Sequence, residues 1–99
     1  MASRPHRKIV PNESFDTATI QAVWEKGAVI PGINPNRRRK DSRGTWIDRD
    51  GYGVRIANGT GWEIDHIDPA ARGDIDDLDN LQPLQWENDR DKGDRLSSQ

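Results

Sequence analysis

Residues 61–69 read GWEIDHIDP. Trp62 and Ile64 alternate with Glu63 and Asp65, the two-residue period of a short strand with one apolar and one acidic face. The strand ends in Asp65 and His66 and soon meets Pro69. Histidine is scarce in this chain, with His6 near the N-terminus and His66 here. A histidine beside an aspartate at a strand end can be a buried structural pair, a zinc ligand or one half of a hydrolytic active site, and the flanking sequence has to decide.

Downstream, residues 68–80 read DPAARGDIDDLDN, an acidic loop of turn-forming residues ending in Asn80. Residues 81–84, LQPL, form a second short extended piece. A polar helix is expected from about Gln85 to about Asp94, presenting Asn88, Asp89 and Lys92. Two short strands and a helix can bring these side chains to one place. Asp65 and Asp89 offer hard oxygen donors suited to Mg²⁺ or Mn²⁺. His66 is the plausible general base with an ordinary pKa near neutrality. Asn80 can hold the imidazole in one tautomer, and Lys92 and Arg90 can meet a phosphate. Together they are the equipment of metal-assisted phosphodiester hydrolysis.

The segments DHIDP, GDIDDLDNLQPL and ENDRDKGD resemble the HNH endonuclease family, the ββα-metal or His-Me finger, in its small cysteine-free type. His66 and Asn80 are 14 apart, Asn80 and Asp89 are 9 apart, and Asp89 and Lys92 are 3 apart, all without gaps relative to the family pattern. The resemblance covers residues 61–94 strongly, and residues 24–62 are similar to the lead-in of small HNH proteins. It implies that Asp65 is the first metal ligand, that His66 activates water, that Asn80 positions His66 by side chain or backbone, and that Lys92 is the lysine of the N-x-x-K motif. Asp89 stands where relatives usually carry Asn or His as second ligand. Asn88 takes that role if the register slips by one. Many relatives also carry a Cys-x-x-Cys pair that binds structural zinc; Gln85 and Asn88 occupy those positions here, so no structural zinc is expected and one divalent ion is.

The upstream half is expected to be a loop-rich lead-in. Residues 1–11 read as a basic flexible arm and 12–99 as a single domain. A short helix is expected within NESFDTATIQAVWEKG, capped by Ser14 or Asp16, with Phe15, Ile20, Val23 and Trp24 near one face. The run Arg37, Arg38, Arg39, Lys40 is expected on a surface loop as a phosphate-contacting strip, with Arg43 and Arg72 as weaker candidates for the same work. GTWIDRDGYGVRI predicts a hairpin about its Asp-Gly turn. Its Asp48-Arg49-Asp50-Gly51 has the look of a calcium loop, but no glutamate follows at the required distance. Asp74, Asp76, Asp77 and Asp79 read as a solvated turn with no part in catalysis. The fold class is therefore α+β: two short antiparallel strands plus a helix, preceded by an N-terminal helix and a hairpin.

Composition agrees with a small core. Only 31% of the 99 residues are hydrophobic and mean hydropathy is −1.02, so Trp24, Trp46, Trp62 and Trp86 are expected to supply much of it, although an exposed Trp46 could stack on a base. The absence of cysteine excludes disulfides and thiolate zinc sites. No apolar run is long enough to span a membrane and no signal peptide is visible, so a cytoplasmic location is the expectation. The net charge of −2 conceals an asymmetry. Residues 1–49 hold 10 Lys/Arg against 5 Asp/Glu, whereas 50–99 hold 5 against 12. A basic half can grip a polyanion while an acidic half holds a cation.

The expected function is metal-dependent hydrolysis of DNA with low sequence specificity, RNA being a possible substrate too. A protein partner would then supply any specificity, and a homodimer is the arrangement that would turn nicking by single sites into double-strand cutting. An inactive HNH-like module that binds nucleic acid is the alternative. A calcium-dependent interaction domain is a third reading, which leaves His66 and Asn80 without a role.

Overall fold

The computed structural model describes residues 15–97; the basic arm, His6 and the candidate cap Ser14 lie outside the described residues. Helix α1, Thr17–Trp24, starts at Asp16, whose Oδ1 accepts the Thr19 amide at 2.8 Å. It buries Val23 and Trp24 completely.

Strand β1, Arg38–Lys40, pairs antiparallel with β2, Trp46–Asp48, Arg39 facing Ile47. This corrects two expectations. Arg38, Arg39 and Lys40 of the basic run form a strand rather than a loop, Arg37 staying in the turn before it, and β2 does not fold back about Asp50-Gly51. Residues 49–51 instead form a 3₁₀ turn, after which Tyr52 makes an isolated parallel bridge to Trp62. The reason is burial. Pairing with β1 covers Ile47 and lays the Arg39 side chain over Trp24, 5.7 Å from the ring, where its guanidinium donates to the carbonyls of Pro35, Glu25 and Gly27. No pairing within 46–56 offers that cover.

Strand β3, Trp62–His66, and β4, Leu81–Gln85, form a second antiparallel pair in which Asp65 faces Gln82 and His66 faces Leu81. Helix α2, Trp86–Ser97, follows β4 directly and lies across both strands. The Gln85 side-chain oxygen accepts the amides of Glu87 and Asn88, satisfying donors that a helix start leaves open. Gly61, just before β3, tolerates no side chain, because an added Cβ would sit 1.7 Å from the Val54 carbonyl oxygen.

The core is Val23, Trp24, Ile47, Trp62, Ile64 and Leu81, with Phe15, Ile20 and Tyr52 packed against it. Trp24 and Trp62 meet at 5.5 Å, and Tyr52 meets Trp62 edge-on at 5.0 Å. Trp46 and Trp86 are only half-buried, so Trp24 and Trp62 are the tryptophans that supply the core. Lys40 lies over Trp46, and Arg55 and Arg90 flank Trp86, whose indole N–H is bonded to the Ile56 carbonyl.

The two sheets are tied together by Asp41, which is 4% exposed at the end of β1. One carboxylate oxygen accepts the amides of Arg43 and Thr45. The other accepts the Gln85 amide and the Asn88 side-chain amide. Gln85 and Asn88, the residues at the zinc-knuckle positions, thus converge on one carboxylate. Among the described residues no helix is long and apolar enough to cross a membrane.

Candidate active site

The pleat of β3 sends Glu63 and Asp65 to the face covered by α2, which buries them to 1% and 8% exposure. Glu63 is held by a two-pronged pair with Arg55, Nε–Oε2 at 2.5 Å and Nη2–Oε1 at 2.8 Å. Asp65 Oδ2 accepts Lys92 Nζ at 2.6 Å and Gln82 Nε2 at 2.9 Å, and the same ammonium donates to the His66 carbonyl at 2.7 Å. From α2, Asp89 reaches the same carboxylates. Burial pushes its carboxyl up to about 8, reinforced by hydrogen bonding to Glu63, repulsion from Glu63 and Asp65, and a hydrogen bond to Asp65. Asn88, one position earlier on the helix, points elsewhere: its amide serves Asp41 and Thr45.

His66 closes the strand with a half-buried ring. Its Nε2 lies 2.7 Å from Asp76 Oδ1. The hydrogen bonds of Asn80 go elsewhere. Its side chain bridges the acidic loop, donating to the carbonyls of Asp68 and Ile75 and accepting the Asp68 amide, while its own carbonyl accepts the Ile67 amide. Asn80 thus shapes the loop, and the carboxylate from that loop meets the imidazole. Asp65, His66, Asp89 and Lys92 share one open cleft of about 240 Å³ with Ile64, Pro69 and Gly93.

The expected phosphate strip separates into different environments. Arg37 and Arg38 line a second cleft of about 640 Å³ with Arg49 and Asp48, Arg38 being paired with Asp48. Arg43 and Arg72 are exposed, and Arg90 is exposed beside Asp91 and over Trp86. Arg39 is a correction: it is buried, and its Nε and Nη1 donate to backbone carbonyls, so it belongs to the packing of the fold rather than to an exposed strip.

The cleft thus gathers carboxylates, an imidazole and an ammonium on two antiparallel strands and a helix, the α+β element set expected from the sequence. Residues 51–95 match the HNH endonuclease family. The HNH match takes in β3, the acidic loop, β4 and the described part of α2 except its end, a little under half of the chain. Neither the curated proteins nor the solved structures yield a match. An HNH domain points to nuclease-like or nucleic-acid-binding work.

Among the described residues no group of three or more His, Cys, Asp or Glu side chains is spaced to enclose a metal ion. The donor chemistry nevertheless suits one of the kind this family uses. Mg²⁺ is commonly held by one or two carboxylates with water and substrate phosphate completing its shell, and the cleft offers two carboxylates, those of Asp65 and Asp89.

Glu63 and Arg55 escaped the sequence reading. The alternation of β3 put Glu63 on the Asp65 face, a usable signal, but only the packing of α2 buries it. Nothing local in sequence joins Arg55 to it.

The convergence of Glu63, Asp65 and Asp89 predicts a pH-dependent stability. Asp89 has a folded value above its ordinary 3.8, so the folded state holds its proton longer than the unfolded state does. The contribution of this group therefore falls as pH rises from about 4 to about 8, and levels off above. In EDTA, Asp89→Asn is expected to raise stability at pH 8.5 by about 1–3 kcal/mol and to change little at pH 4, as burial of an uncompensated charge implies. Denaturant melts at the two pH values check this, and an equal effect at both would refute the assignment.

Proposed function

We propose that this chain is a metal-dependent HNH endonuclease that hydrolyses DNA phosphodiester bonds. The observation carrying the reading is that α2 brings Asp89 against Asp65 in the cleft that holds His66, within the segment matching the family. Asp65 and Asp89 would hold one Mg²⁺ or Mn²⁺, and Asn88 is set aside because its amide serves Asp41. A bound divalent ion would supply electrostatic stabilisation of the charge that develops on the phosphate.

The side chains of the chain do the rest. Neutral His66 takes a proton from the attacking water. Lys92 offsets the Asp65 charge and ties the His66 carbonyl, fixing the end of β3 under α2. Asn80 holds the loop from Asp68 to Ile75 that approaches the imidazole. Arg37, Arg38, Lys40, Arg43, Arg72 and Arg90 are the candidates for contact with the DNA backbone. Such contacts position a duplex without reading its sequence, which agrees with low specificity, any further selectivity coming from a second copy or a protein partner.

The test is conversion of supercoiled plasmid by purified protein in Mg²⁺, in Mn²⁺ and in EDTA. Open circles should form only with metal. Cutting that persists in EDTA overturns the metal-dependent reading. DNA binding without cutting under either metal would favour the binding-module alternative.

A further inference from the structure

We infer that Asp76, in the acidic loop, is the positioning residue for the His66 imidazole. The inference rests on the nuclease reading and adds to it a residue outside the metal pair and the base.

The contact is direct, Asp76 Oδ1 to His66 Nε2 at 2.7 Å. An ionised carboxylate can only accept, so Nε2 must be the donor. In the neutral ring that leaves the lone pair on Nδ1. Asp76 therefore selects the nitrogen that acts as base and restrains rotation of the ring, so that Nδ1 is the free face of the imidazole.

The loop is built to make this contact. Asp74 Oδ1 accepts the Asp76 amide at 3.0 Å, and the Asp74 carbonyl accepts the Asp77 amide. The Asp77 carbonyl in turn accepts the Asn80 amide at 2.8 Å. The Asn80 side chain grips Ile75, next to Asp76, and Asp68, two residues after the base. Asn80 thus sets the distance between His66 and Asp76 without touching the imidazole. This gives the central asparagine of the motif a physical task and gives one member of the acidic run a role.

Exposure separates this role from a purely structural one. The Asp76 side chain is 52% exposed and that of His66 27%. Ion pairs in that setting contribute little to stability, so removing Asp76 should leave folding intact and act on turnover.

The experiment compares the full-length wild type with Asp76→Ala, Asp76→Glu and His66→Ala in plasmid nicking with Mn²⁺, together with proton and nitrogen NMR of the imidazole. The chain has two histidines, so a His6→Gln background isolates the His66 signals. Asp76→Ala should lower kcat about 10-fold or more, a part of the full general-base effect, with KM for DNA and the melting temperature unchanged. Asp76→Glu should restore part of kcat. Wild type should show a downfield, slowly exchanging Nε2–H that Asp76→Ala loses and Asp76→Glu keeps. Equal kcat in wild type and Asp76→Ala, or a wild-type imidazole protonated on Nδ1 instead, overturns the assignment while leaving the nuclease reading standing. A wild type that cuts under no metal removes that reading and this inference with it.

Discussion

His66→Ala is expected to lower metal-dependent plasmid nicking by about 10²–10⁴-fold, the range that a positioned general base supplies, while leaving DNA affinity and folding unchanged. Water attacks a phosphodiester poorly unless its proton is taken as the bond forms. In the cleft that holds Asp65, Asp89 and Lys92, the imidazole is the group suited to that task near neutral pH. Glu63 is committed to Arg55, and Asp65 accepts from Lys92 and Gln82. The ring is half-buried at the end of β3 and outside the core cluster, so its loss leaves no cavity among Trp24, Trp62 and Leu81. Single-turnover nicking rates, with gel-shift titrations and thermal melts alongside, separate chemistry from binding and stability. A variant that nicks at the wild-type rate would show that water is activated by something other than His66. A variant that no longer folds would show that the ring is structural, and His66→Gln would then have to decide.

The second large effect is on stability. Asp41→Ala is expected to cost about 3–5 kcal/mol, the scale of breaking a buried charged network. Its carboxylate accepts four hydrogen bonds at 4% exposure, from the Arg43, Thr45 and Gln85 amides and the Asn88 side chain. Truncation leaves those donors to find water in a space water barely enters, each at about 1–3 kcal/mol if it fails. It also unties the β1–β2 turn from the start of α2, the helix that carries Asp89 and Lys92. Asp41→Asn should be nearly as costly, because its NH₂ group would have to face a pair of donors. Since a domain of this size loses roughly 4–8 °C of melting temperature per kcal/mol, the alanine variant should melt roughly 12–40 °C below wild type. A loss under about 1 kcal/mol would mean that the turn and the helix stay docked without the carboxylate.

Much of the candidate site was legible because it is local or periodic. The alternation through Trp62, Glu63, Ile64 and Asp65 placed β3. The turn residues of 68–80 placed the loop, and the spacing from Asn80 to Asp89 and Lys92 put the last two on one helical face. Asp16 before Thr17 signalled the start of α1. The basic run misled. Four consecutive cations look like a solvated strip, yet Arg39 is buried because three carbonyls, of Glu25, Gly27 and Pro35, come within reach of its guanidinium once β1 and α1 pack together. The tryptophans misled in the same way, since hydrophobic content does not tell which indole has a partner strand over it. The choice between Asn88 and Asp89 could not be made from spacing, because adjacent helical residues differ by about 100° in direction and only the docking of α2 decides which faces Asp65.

By itself, the amino-acid sequence determined the element types of β3, β4 and α2 and the alternation that sets Glu63 and Asp65 on one face. These follow from backbone periodicity and fixed spacings, which act over a few residues. The tertiary structure alone decided that Glu63 pairs with Arg55, that Asp41 ties the two sheets, that Asp76 meets His66 and that Arg39 belongs to the fold. Each of those is a polar group whose partner lies across a turn, a loop or another element. Which donor meets which acceptor is set by how apolar faces dock, because a buried polar group must take the partner that packing leaves beside it.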